Sequence, residues 1–127
     1  MPGFSLDDVI AAHRRIESSV VRTPTLFHQE GDVELYLKAE SLQPIGAFKL
    51  RGAVNMLATL ADDQPVVAHS SGNHAQAVAR AAKLRGVDAT IVMPNDAPKL
   101  KRARTEADGA RVIEVGPDSA ERVPRAP

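Results

Sequence analysis

Lys49 stands beside Phe48 in the run Ala47-Phe48-Lys49-Leu50-Arg51-Gly52, where a loop gives way to helical spacing. A lysine amine attacks a carbonyl only when neutral, and a semi-buried, partly apolar setting favours that form. The neighbouring ring can supply an apolar surface under a flat cofactor. The pair is suited to hold an aldehyde cofactor as a Schiff base. Taken alone, spacing favours a plainer reading: Lys49 as a solvated first-turn lysine, Phe48 as core and Arg51 as a surface residue.

A second segment changes that balance. Ser70-Ser71-Gly72-Asn73-His74-Ala75-Gln76 leaves a short apolar strand and turns into a helix. Free N–H groups at such a turn lie at the carboxyl edge of a parallel sheet, where these folds bind anionic ligands. Asn73 and Gln76 fall one turn apart and are expected to face one ligand. The plainer alternative is an N-cap by Ser71 with ordinary polar residues after it. His69 and His74 lack partners at metal-ligand spacing, so no metal site is expected.

The elements that must position these groups follow from pattern. Ser5-Leu6-Asp7-Asp8 is a helix start in which both side chains can cap free N–H groups. Leu6, Val9, Ile10, His13 and Ile16 then form one apolar face, and Thr23-Pro24 ends the element. Val33 to Ala39 reads as a strand. After the Gln43-Pro44-Ile45-Gly46 loop, helical period returns from about Phe48 to Ala61. Gly52 within that helix costs roughly 1 kcal/mol relative to alanine, which points to close backbone approach.

From Asp62 strands and helices alternate. Pro65 to His69, Val87 to Met93 and Arg111 to Val115 read as strands. Gly72 to Arg85 is an alanine-rich helix that Gly86 is placed to end. Asp96 can cap a further helix, with Pro98 in its first turn and Gly109 beyond its end. Pro117-Asp118-Ser119 looks like another helix start, which Val123-Pro124-Arg125-Ala126-Pro127 cannot continue. The alternation argues an α/β fold with a doubly wound parallel sheet.

Composition narrows the function classes. The 127 residues are 43% apolar and 25% charged, which are globular values. Formal net charge is zero, so no nucleic-acid or membrane-surface partner is expected. The basic run Lys99, Lys101, Arg102 and Arg104 reads as a solvated helix face. No apolar stretch is long enough to span a bilayer, the start lacks signal-peptide features, and cysteine is absent. The expected location is cytoplasmic.

The stretch Glu40 to Ala53 together with Ser70 to Ala77 resembles the serine/threonine dehydratase and serine racemase family. The similarity continues through Ile91-Val92-Met93-Pro94, Ala97-Pro98-Lys99 and Gly109 to Val112. These are pyridoxal-phosphate enzymes of the tryptophan-synthase-β-like fold. The resemblance implies an open parallel sheet flanked by helices, here as an N-terminal portion. Residues 1–62 would open the larger cofactor domain, 63–122 would form most of a small mobile domain, and 123–127 an irregular tail. The Phe48-to-Ala61 helix would then present uncovered apolar surface, in a marginal, association-prone chain.

The resemblance also implies roles. Lys49 matches the lysine that carries the cofactor and later moves the substrate α-proton, with Phe48 near the cofactor ring. Asn73 matches the residue that hydrogen-bonds the cofactor's phenolic oxygen. The turn Ser70, Ser71, Gly72, Asn73, His74 and Gln76 would receive the substrate carboxylate, an interaction worth about 0.3–2 kcal/mol at a helix start. Ser71 matches the acid/base of racemases on the cofactor face opposite the lysine. The implied reaction is dehydration and deamination of threonine or serine to a 2-keto acid and ammonia. Serine racemisation and a non-catalytic remnant are the alternatives. Ala47 stands where many relatives carry serine. The family's glycine-rich phosphate loop lies downstream of the matching region, so a truncated chain inactive alone is expected. Family members commonly pair, making a homodimer an expected assembly.

Overall fold

The computed structural model describes residues 3–116. In chain order the elements are α1 (Leu6–Ile16), β1 (Thr25–Glu30), β2 (Val33–Lys38), a single 3-10 turn (Glu40–Leu42), α2 (Lys49–Leu57), β3 (Val66–His69), α3 (Asn73–Arg85), β4 (Ala89–Pro94), α4 (Lys99–Ala107) and β5 (Arg111–Val115). The expected helix start at Pro117 and the tail from Val123 lie outside the described residues.

Helix α1 begins as its sequence dictates. The Ser5 hydroxyl accepts from the Asp8 N–H at 3.2 Å, and the Asp8 carboxylate accepts from the Ser5 N–H at 2.9 Å. These hydrogen bonds hold the Asp8 carboxyl below its ordinary value. The apolar face does not become core, however. Only Ile16 is buried, while Leu6 and Val9 stay exposed. The described contacts of α1 fall mainly on α2, including Arg15 Nε donating to Asn55 Oδ1 at 2.9 Å.

Strand β1 has no counterpart in the sequence reading. It pairs antiparallel with β2 from Thr25↔Lys38 to Glu30↔Val33. Between them Gly31 adopts φ +59°, the left-handed conformation that a tight hairpin demands of its first central residue. Gly31-Asp32 was the available signal. Every β1 residue is exposed, so no burial period marked the strand. Phe27 and Tyr36 face each other across the hairpin with ring centroids 5.4 Å apart.

The three remaining strands form a parallel sheet in the order β3-β4-β5. Parallel crossovers are right-handed, so sequential order places α3 and α4 on the same face, where they touch each other. The open parallel sheet with flanking helices is therefore present, but among the described residues it is wound in one direction only. Ala89, Ile91 and Met93 of β4 join the core shared with α2 and α3.

Helix α3 is the centre of that core. Ala75, Ala77, Ala79, Ala81 and Ala82 are all essentially inaccessible, and small side chains let helix backbones approach closely. Leu50, Ala53, Val54 and Leu57 of α2 are buried with them, so the main apolar face of α2 is covered by this chain itself. Phe48 and Met56 remain exposed. Gly86 ends α3 with φ +71°.

Two local expectations need correcting. Asp96 caps nothing: α4 opens directly after Pro98, with no side chain bonding its first N–H groups. Gly52 does not mark a close approach, because a Cβ added there meets open space and its φ is not positive. The glycines therefore differ in a measurable way. Gly52→Ala should stabilise by about 0.5–1 kcal/mol. Gly86→Ala should destabilise by about 1–2 kcal/mol, because it forces a side chain into the left-handed region. Denaturant midpoints for the two variants shift in opposite directions.

Candidate active site around Lys49 and the α3 N-terminus

Lys49 is the first residue of α2, and its ammonium lies 5.0 Å from the centroid of the Phe48 ring. Both side chains are exposed rather than semi-buried. They line a cavity of about 640 Å³ between α2, β3 and α3, together with Met56, Val67 and His74. An amine, a ring and an imidazole thus meet at one apolar opening.

The Ser70–Gly72 loop carries β3 into α3, as read from sequence. Ser71 does not cap the helix. Gly72 occupies the cap position without a side-chain bond, and Ser70 Oγ instead accepts from the Gly72 N–H at 3.2 Å. No side chain among the described residues caps the first N–H groups of α3. The Ser71 hydroxyl has no hydrogen-bond partner among the described residues. Asn73 and His74 are exposed on the first turn.

Gln76 goes elsewhere. It is 2% exposed, its Oε1 accepts no hydrogen bond, and it lines a separate cavity of about 410 Å³ with Gln43, Pro44, Arg80 and Asp108. Lys49 and His74 do not line that cavity. The structure brings Lys49, Phe48 and His74 together, sets Ser70 to Asn73 immediately beside them in the chain, and turns Gln76 away.

Three cationic residues depart from their surface readings. The Lys101 ammonium stands over the loop, 3.5 Å from where a Cβ on Gly72 would be. It has no hydrogen bond or ion pair among the described residues, and adds positive charge to the end of α3 suited to an anion. Its i+3 spacing from Pro98 gave no signal of this, because the approach is across elements. Arg102 pairs with Glu106 at 3.0 Å and with Glu114 of β5. Arg51 forms a two-pronged ion pair with Glu40, Nε to Oε2 at 2.8 Å and Nη2 to Oε1 at 2.7 Å.

Glu40 is held further by the Thr23 hydroxyl at 2.5 Å and by Gln43 Nε2 at 3.3 Å. The Arg51 guanidinium is the main cause that brings its carboxyl down to about 2. Desolvation opposes the shift and is outweighed.

Fold and site together define an α/β protein that presents a lysine beside an aromatic ring at a cavity shared with the start of α3. The comparisons with known proteins agree. The family model "Pyridoxal-phosphate dependent enzyme" matches residues 15–126. The chain belongs to that family of enzymes, whose cofactor is pyridoxal phosphate. It is 48% identical over 113 residues to L-threo-3-hydroxyaspartate ammonia-lyase of Saccharomyces cerevisiae, covering 84% of this chain and 35% of that one. It is 44% identical over 120 residues to L-threonine ammonia-lyase of Thermotoga maritima, covering 89% and 30% respectively. The solved serine racemase of Dictyostelium discoideum superimposes with a TM-score of 0.86 at 38% identity, over 94% of this chain and 41% of that one. The fold is that of the tryptophan-synthase-β-like enzymes. The chain spans about a third of the length of the curated relatives it matches.

The ordinary glutamate value is 4.5, and Glu40 lies at about 2 in the folded chain. A depressed carboxyl contributes stability that is complete above its unfolded value and is lost as pH falls through the folded one. Acid titration of the unfolding midpoint should show a loss between pH 4.5 and about 2 that Glu40→Gln removes.

Proposed function

We propose that this chain supplies the lysine-bearing part of a pyridoxal-phosphate-dependent ammonia-lyase that acts on threonine or serine. The observation that carries the reading is the convergence of Lys49, Phe48 and His74 on one cavity, at the uncapped N-terminus of α3. The fit to the cofactor is good at its aldehyde end: the cavity is open and apolar, and Lys49 is the amine on its rim. Residues 1–62 and 63–122 are read as the opening of a larger cofactor domain and most of a smaller one.

Lys49 would hold the cofactor through Nζ, with Phe48 beside the ring and Asn73 bonding the phenolic oxygen. When bound, the cofactor supplies an electron sink for the charge left when the substrate α-proton departs. The Lys49 Nζ then takes that proton, a task for which a released amine is basic enough. The uncapped N–H groups of α3, with Ser70, Ser71, Gly72 and His74 around them, orient the substrate carboxylate. Lys101 reinforces them from above Gly72. Water leaves from the α and β carbons, and hydrolysis of the resulting enamine gives a 2-keto acid and ammonia.

One observation favours serine racemisation as a second reading. The Ser71 hydroxyl has no hydrogen-bond partner among the described residues, which leaves it available to a ligand. Visible-absorbance titration with pyridoxal phosphate tests the common part. A saturable band should form with the unsubstituted chain and vanish in Lys49→Ala; identical spectra for both would overturn the assignment. With serine as substrate, Ser71→Ala should lower racemisation by about 10²-fold or more while leaving elimination in part. Equal loss of both would remove Ser71 from its separate role.

A further inference from the structure

Resting on the reading of Lys49 above, we propose that the Glu40–Arg51 pair is a positioning device that fixes the direction of Lys49 through the first turn of α2. The Lys49 ammonium lies 5.0 Å from the Phe48 ring centroid and makes no hydrogen bond or ion pair among the described residues. Its aim into the cavity therefore depends on the backbone that carries it. That backbone has no side-chain cap: Phe48 occupies the cap position without bonding the first turn.

Arg51 lies two residues after Lys49, in the same turn, and supplies the missing anchor. Its Nη2 donates to the Val21 carbonyl at 3.0 Å as well as to Glu40. Glu40 is fixed in turn by Thr23 and Gln43. Gln43, 3% exposed, grips Val21 from both sides, accepting from its N–H at 3.0 Å and donating to its carbonyl at 2.8 Å. The turn bearing Lys49 is thus referenced to two other chain segments, 21–23 and 40–43. A guanidinium fork on a carboxylate fixes an angle as well as a distance, which a single ammonium contact does not.

A second multiply bonded carboxylate provides a contrast. Asp108 accepts from Arg80 at 2.9 Å and from Lys83 at 3.4 Å, tying α4 to α3. Neither partner belongs to α2. Breaking it costs stability without touching the turn that aims Lys49.

The test is the distribution of label when the chain is treated with pyridoxal phosphate, reduced with borohydride and mapped by peptide mass spectrometry. The unsubstituted chain should carry most label on Lys49 at saturating-but-limited reagent, ahead of Lys38, Lys83, Lys99 and Lys101. Glu40→Gln and Arg51→Lys should each lower the Lys49 share by about fivefold or more, since small misplacements of a reacting group cost large factors. Asp108→Asn should lower the unfolding midpoint while leaving the Lys49 share in place. Arg51→Lys retains charge and helix propensity, so it reports even where Glu40→Gln folds poorly by circular dichroism. Undiminished Lys49 labelling in a folded Arg51→Lys chain would overturn the positioning role. So would an equal fall in Asp108→Asn, which would reduce the pair to general stability. No preference for Lys49 in the unsubstituted chain would instead overturn the proposed function, and this inference with it.

Discussion

The contact between α2 and α3 is the constraint on which the rest of this structure depends. It joins the lysine-bearing helix to the helix whose start shares its cavity, and it is made possible by side-chain size. Five alanines of α3 are sealed in the core, opposite Leu50, Ala53, Val54 and Leu57. Interior packing is dense enough that a methylene more or less is felt, so this contact admits one axial position and little sliding. Leu50 is fully buried one residue after Lys49. The core therefore fixes how far the amine stands from the Ser70–Gly72 loop, and the cavity between them is a product of that packing.

Packing sets distance, whereas the charged network sets direction. Two carboxylates organise the described chain, Glu40 partly buried and Asp108 buried, and each is met by more than one donor. Glu40 draws together 21–23, 40–43 and α2, while Asp108 draws α4 onto α3. A buried carboxylate is tolerable only when its donors offset the lost hydration, and a two-pronged guanidinium does so with the best geometry. Surface pairs such as Arg85 with Asp62, whose carboxylate is fully exposed, add little by comparison.

Much of this was legible in sequence where burial imposed a period. The strands β3, β4 and β5 and the helix α3 are readable at nearly their observed limits: β4 and α3 supply core residues, and β3 and β5 place partly buried apolar residues against that core. The hairpin strand β1 was not found, since both its faces are exposed and only Gly31-Asp32 marked it. The apolar face of α1 gave the helix correctly but misled about its burial. Lys49, Phe48, His74 and the Ser70–Gly72 loop stand out by residue type and order along the chain, and Phe48, Lys49 and His74 line one cavity in the structure. Arg51, Lys101 and Gln76 were misplaced for one reason. Their partners, Glu40, Gly72 and the cavity lined by Arg80, are brought to them by tertiary packing, and no local spacing encodes that.

The similarity of this chain to both lyases and a racemase has a physical explanation. Dehydration and racemisation begin with the same demand, a basic nitrogen at the α-proton and an oriented carboxylate. The part of the molecule described here presents an amine at the head of α2, a ring beside it and an uncapped start of α3, the groups that the proposed function would use for that shared demand. The reactions diverge afterwards, when a proton arrives on the opposite face or a β-substituent departs. Residues that govern divergence can vary while this framework is kept, because the framework answers to the geometry of one proton and one carboxylate. Ser71, which the second reading would make the point of divergence, sits on the loop between β3 and α3 rather than in the α2–α3 core, so a change there leaves the packing of the two helices in place.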